Sequence, residues 1–162
     1  MHHHVPSLFV APLALLFLFL LTSPAPAFQA KVVGITDGDS IKVLRNDQQV
    51  KIRLYGIDCP EKGQPFGKAA KKFTSSLAAG KTIKVDPVTK DRYGRTVAMV
   101  YVNDQSLNES IIRAGYAWVY KQYCREPFCY DWFRHEATAR ERKKGLWREP
   151  GAIPPWEWRR KK

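Results

Sequence analysis
The chain has 162 residues, a length that fits one domain, and its 27 Lys and Arg against 15 Asp and Glu give a formal net charge of +12. With 44% hydrophobic and 26% charged residues it can build a core, so disorder throughout is excluded, and the charge excess points to a polyanionic partner. The four histidines are His2, His3, His4 and His135, which leaves one beyond the extreme N-terminus; this excludes a multi-histidine zinc or nuclease centre and leaves carboxylates, arginines and a metal as the means of catalysis.

Residues 1–30 contain no Asp, Glu, Lys or Arg. Leu8 to Leu21 are almost wholly apolar and are followed by Ala25-Pro26-Ala27. An apolar run too short to span a bilayer, closed by an A-x-A site, reads as a signal peptide over residues 1–27. Cleavage after Ala30 is the second choice, and an uncleaved membrane anchor is the competing reading. On the first reading the protein is exported, to a periplasm or to the extracellular space. Residues 28–162 then form the working domain, without stable membrane association.

The domain starts with strands. Lys31–Ile35 is the first, Ile41 and Val43 belong to the second, and Val50, Ile52 and Leu54 alternate with Lys51, Arg53 and Tyr55 in the third. Arg45-Asn46-Asp47-Gln48 supplies the turn between the last two. Phe66, Ala69, Ala70, Phe73 and Leu77 then recur at helical spacing, with Gly80 at the C-cap place. Thr82–Asp86 and Thr96–Val102 are two more strands, around the turn Asp91-Arg92-Tyr93-Gly94. Ser106-Leu107-Asn108-Glu109 is a capping-box pattern that opens a short helix ending at Gly115. A last helix runs through Phe133 and Ala137 to Lys143-Lys144. The tail, Pro154 to Lys162, is Pro-rich, aromatic and basic; its tryptophans are expected to pack and its last charges to fray. Five strands with about three helices predict an α+β fold, a small twisted barrel with helices outside.

The acidic residues cluster at turns. Asp37-Gly38-Asp39-Ser40 lies between two strands, and Asp58-Cys59-Pro60-Glu61 follows the strand that ends near Ile57. Asp-Gly and Pro are also ordinary turn formers. If the two turns converge, they make an oxygen-lined site for a hard divalent cation, to which Cys59 can contribute its backbone carbonyl. Arg53 points away from the core set and is expected on the same strand as Asp58, five residues before it. Arg95 follows the Tyr93-Gly94 turn. Two guanidiniums beside two carboxylate clusters form a plausible phosphate site, because each can offer a phosphate two parallel hydrogen bonds.

The order Asp37-Gly38-Asp39, then Arg53-Leu54-Tyr55-Gly56-Ile57-Asp58-Cys59-Pro60-Glu61, then Asp91-Arg92-Tyr93-Gly94-Arg95 resembles the thermonuclease (staphylococcal nuclease-like) family. The resemblance runs from about Lys31 to Trp147. It implies a five-stranded oligonucleotide-binding (OB-fold) β-barrel with three helices, and calcium-dependent, nonspecific hydrolysis of DNA and RNA, with magnesium as the alternative ion. It assigns the metal to Asp39, Asp58 and the Cys59 carbonyl, the attacking water to Glu61, and the phosphate to Arg53 and Arg95. Arg92 and Tyr93 match nucleotide-binding positions. Cys59 and Ser40 stand where the family has threonines, and the region around Tyr120 and Tyr123 aligns loosely. A non-catalytic nucleic-acid-binding OB-fold module is the alternative function. The protein is expected to be a monomer.

Of three cysteines, Cys124 and Cys129 enclose four residues and can close a small disulfide loop in an exported protein. Cys59 is then a free thiol. A zinc site from Cys124, Cys129 and His135 is the other reading, and it needs a fourth ligand.

Overall fold
A computed structural model describes residues 26–161. Its barrel is built from the alternation read above. Strands β2 (Ser40–Arg45) and β3 (Gln48–Leu54) form a hairpin in which Ile41 faces Ile52 and Val43 faces Val50. Asn46 and Asp47 both have positive φ, the backbone a two-residue hairpin turn requires. Strand β1 (Phe28–Ile35) pairs with β2 on one side and with β5 (Thr82–Lys90) on the other. β5 pairs with β6 (Thr96–Val102), and β6 closes the ring by a parallel pairing with β3. The result is the five-stranded barrel β3-β2-β1-β5-β6.

Val32, Ile41, Val43, Ile52, Leu54, Ile83, Val85, Ala98 and Val100 are buried. Truncating Ile41, Ile52, Leu54 or Ile83 to alanine in such a core costs about 2–5 kcal/mol.

Helix α1 (Gly67–Ala78) turns Ala70, Thr74 and Ala78 to the core. Helix α2 (Leu107–Arg113) follows the short strand β7 (Gln105–Ser106) and buries Leu107, Ile111 and Ile112. Ser106 caps it by accepting from the Glu109 backbone N–H, while the Glu109 carboxylate pairs with Arg113 instead of reaching back, so half of the capping box forms. Buried Asn108 is fully employed. Its Oδ1 accepts from Val100 N–H and its Nδ2 donates to the carbonyls of Tyr55 and Ala98.

Three features differ from the sequence reading. β1 begins at Phe28, three residues early, so cleavage after Ala27 leaves it whole and cleavage after Ala30 would cut into it. The leader itself, except Pro26 and Ala27, lies outside the described residues. Asp58 is not on the strand of Arg53. Gly56, at φ 70°, breaks the chain there, and Ile57–Asp58 forms a separate short strand, β4, paired with β8 (Trp118–Val119). After α3 (Cys129–Glu141) and a 3-10 turn at Gly145–Arg148, the tail forms a fourth helix, α4 (Pro155–Arg160). Pro at its first position and two arginines in its last turn make that short helix locally reasonable.

Candidate active site
The two acidic turns converge because Gly38 has no side chain. A Cβ there would lie 2.7 Å from Cβ of Cys59 and 2.9 Å from Cβ of Ala70. The close approach is locked by Thr74 on α1, whose hydroxyl donates to the Gly38 carbonyl at 2.6 Å. Leu54 N–H donates to the Asp39 carbonyl, and Cys59 N–H donates to Oδ2 of Asp39. The first aspartate does what a turn residue does, accepting from Asp39 N–H through Oδ1. The second is driven inward, and Asp39 and Asp58 are both buried. Asp58 is set by β8, which is in turn held by buried Glu136 of α3 accepting from Val119 N–H at 2.6 Å.

Arg53 lies between the two carboxylates. Its guanidinium is ion-paired to Asp39 and, at 2.7 Å, to Asp58, and it also donates to the Ile57 carbonyl. One guanidinium cannot neutralise two buried carboxylates. Burial, outweighing the attraction of Arg53, pushes the Asp39 carboxyl up to about 6. Asp58 is raised as well, first by burial and then by the charge of Asp39. Arg53 itself is held protonated: burial alone would lower it, and the two carboxylates more than reverse that. The Cys59 thiol is pushed well above the ordinary thiol range by burial and then by Asp39. It is neutral, so only its carbonyl is a candidate ligand.

Glu61 stands at the rim in the turn before α1. Gln64 braces it by accepting from its N–H at 3.0 Å and by donating its own N–H to the Glu61 carbonyl. Arg95 is fixed by Asp91, with Nε 2.7 Å from Oδ2, and reaches toward Ser40 Oγ at 3.4 Å. Ser40 in turn donates to Asp39, so a polar chain connects the Asp91 loop to the buried pair. Burial by itself would raise Asp91, but bonds from the Arg95 side chain and from the backbone N–H groups of Arg95 and Tyr93 outweigh it and hold that carboxyl below the usual range. The Arg92 side chain donates to the Tyr93 hydroxyl, while the Tyr93 backbone N–H donates to Asp91. The Tyr93 ring is 68% exposed and has Arg92 at 4.8 Å and Arg95 at 5.6 Å from its centroid.

The tail departs most from expectation. Arg159 of α4 does not fray. It pairs with Asp58 at 2.9 Å and with Glu61. Trp156 stacks on Tyr120, ring centroids 5.1 Å apart and planes 11° from parallel, and Tyr123 meets Tyr120 edge-on. The basic, aromatic composition of the tail was the one signal that could have placed it here. Cys124 and Cys129 form a disulfide whose Cys124 sulfur packs against Gly56, and Cys59 is free. The disulfide removes the zinc reading of that pair with His135.

Residues 51–149 match the staphylococcal nuclease homologue family, which is more than half of the chain. The chain belongs to the staphylococcal nuclease family. Among its relatives, an uncharacterized endonuclease of Escherichia coli O157:H7 is 40% identical over 148 residues, covering 91% of this chain and 95% of that protein. A micrococcal nuclease of Shigella flexneri is 38% identical over 151 residues, covering 87% and 86%. A staphylococcal-like nuclease of Arabidopsis thaliana is 38% identical over 115 residues, covering 71% of this chain and 35% of its own length.

The family implies a metal, and the donor set fits a hard cation. The three carboxylates of Asp39, Asp58 and Glu61 carry more negative charge than Arg53 and Arg159 together neutralise, and the Cys59 carbonyl is a candidate neutral oxygen ligand beside them. Among the described residues no three Asp, Glu, His or Cys side chains gather at one point. A cation at Asp39 and Asp58 would therefore complete its shell from carbonyl and water oxygens, as calcium and magnesium both do.

Proposed function
We propose that this staphylococcal nuclease family member is an exported, calcium-dependent nuclease that hydrolyses phosphodiester bonds in both DNA and RNA without sequence preference. The observation that carries the reading is Arg53, set between two buried carboxylates at a rim that also bears Glu61 and, through Ser40, Arg95. A pure binding module has no use for carboxylates facing phosphates.

Hydrolysis adds negative charge to a group that already repels nucleophiles. Arg53 has five N–H donors and gives three bonds to the protein, so the rest remain for a phosphate oxygen. Arg95 is oriented by Asp91 and holds the same phosphate from the other side. These fixed donors need no reorganisation as charge develops. Glu61 is half-exposed and takes the proton from the attacking water. Asp39, Asp58 and the Cys59 carbonyl would hold calcium, or magnesium in its place, and the ion would supply further charge neutralisation at the phosphate. Tyr93 and Arg92 present an exposed aromatic and cationic edge on which a neighbouring nucleotide can rest.

Export is supported by the apolar leader and by the Cys124–Cys129 disulfide, which suits an oxidising compartment. Plasmid DNA and a transcript of mixed sequence, incubated with calcium and with chelator, test the proposal. Degradation of both only with the ion is expected. Binding without cleavage under any divalent ion would establish the binding-module reading instead.

A further inference from the structure
The C-terminal arm lies on part of the site proposed above, at Asp58 and Glu61, and it does so with a charge opposite to that of substrate. Arg159 puts a positive charge on Asp58 and Glu61, where a cation and a water would act. Trp156 covers the face of Tyr120, an aromatic beside Gly56 through the bond from Tyr120 N–H to the Gly56 carbonyl. The arm is anchored further back, where Gln64, the residue that braces Glu61, donates to the Ile153 carbonyl at 2.6 Å. One short segment thus touches the metal-ligand candidate, the water-handling candidate and an aromatic platform together.

Its seat is weak by construction. The Arg159 side chain is 42% exposed, and ion pairs at that exposure contribute little. The Trp158 indole N–H is buried with no partner, which makes closure unfavourable by a hydrogen bond's worth. The seam between arm and body, lined by Gln64, Phe66, Trp118, Leu146 and Trp158, is incompletely filled. A segment held this way can leave when something better occupies its place.

We propose that the C-terminal arm is a cation-displaced latch: Arg159 serves as internal counter-ion to Asp58 and Glu61 until a divalent cation takes over that charge, and the arm then lifts from Tyr120 and opens the site to a polynucleotide. The inference rests on the nuclease reading for the identity of the site. It makes Arg159 a competitor of the ion, so loss of Arg159 tightens ion binding, whereas an arginine that served catalysis would leave ion binding unchanged or weaken it.

The test is calcium titration calorimetry at fixed ionic strength on the parent, Arg159→Ala, Trp156→Ala and the neighbouring control Arg160→Ala, with amide exchange across residues 150–161 followed with and without calcium. Arg159→Ala should bind calcium about two- to fivefold more tightly, the size of one exposed ion pair. Trp156→Ala should shift binding in the same direction, and Arg160→Ala should not. Calcium should speed exchange in the arm of the parent. Equal calcium affinity in parent and both arm variants, with the arm equally protected in calcium, overturns the latch while leaving the ion site intact. Calcium binding in none of the four removes the ion site itself, and the latch with it.

Discussion
The backbone N–H of Cys59 donates to Oδ2 of Asp39 across 2.7 Å, joining two turns that lie 20 residues apart in sequence. That single bond aligns the two acidic clusters, and it exists because the Asp37-Gly38-Asp39 turn can press against Cys59 without a side chain between them.

Gly38→Ala therefore tests the convergence directly. The new Cβ would lie 2.7 Å from Cβ of Cys59 and 2.8 Å from its sulfur, closer than real Cβ atoms approach. Overpacking of this kind costs about 1–3 kcal/mol. Urea unfolding should show that loss, and cleavage should fall further than the folded fraction does, because the carboxylates are pushed apart. A fully stable and active variant would mean that the turn has slack the geometry denies it.

Glu61→Gln and Arg53→Ala should separate chemistry from binding. Removing one fixed transition-state donor costs roughly a hundred- to a thousandfold in rate. Glu61→Gln removes a proton acceptor instead, so it should lose cleavage by roughly a hundred- to ten-thousandfold and keep, or gain, affinity for nucleic acid, since it takes away a negative charge at the rim. Arg53→Ala should lose rate and some affinity, and it should also destabilise the fold by leaving buried Asp39 without its cationic partner and Asp58 with Arg159 alone. Paired filter-binding in chelator and cleavage with calcium read both. Parental cleavage by Glu61→Gln would dismiss it as the proton acceptor.

The buried pair sets a pH dependence with a definite sign. Asp39 keeps its proton up to about 6 in the fold, where an unfolded aspartate releases it near ~4. Between those values the folded state binds more protons, so the cation-free protein loses stability as pH rises through that window, on the order of 2–3 kcal/mol from Asp39. Asp58, also raised, acts in the same direction. Asp91 is held low and opposes them only at more acid pH. The ion needs the carboxylate, so calcium affinity should drop as pH falls below about 6. Thermal unfolding against pH, in chelator and in calcium, should give curves of opposite slope across the window; parallel curves would mean that Asp39 is not a ligand.

Nucleic-acid affinity should fall steeply with salt. The +12 charge offers many phosphate contacts, and each displaced counterion adds to the slope of log affinity against log salt. A nearly flat titration in chelator would leave the lysines as solvated decoration.

Reducing the Cys124–Cys129 disulfide should cost at most about 2 kcal/mol, since it closes a loop with a sequence separation of only 5. The larger effect should be on the segment bearing Tyr120 and Tyr123, whose neighbour Cys124 is then no longer tied covalently to Cys129 at the start of α3. Tyrosine exchange or proteolysis in that segment should respond before global unfolding does.

The sequence by itself determined the local elements. Period-two runs such as Val50, Ile52 and Leu54 can bury one face only as strands, the Asn46-Asp47 pair marks the hairpin turn, and Ser106 and Gly80 mark helix ends, all through backbone preferences that need no distant partner. It also determined the charges available, and the order of acids and arginines along the chain was enough to identify the family. Tertiary structure decided how those charges meet. Arg53 and Asp58 were legible as neighbours, but the break at Gly56 that turns Asp58 toward β8 and Glu136 depends on a helix far along the chain. Arg159 and Asp58 are 101 residues apart, and no spacing rule connects them. Their pairing follows from where the closed barrel leaves uncompensated negative charge, a quantity that exists only after burial has removed both aspartates from water.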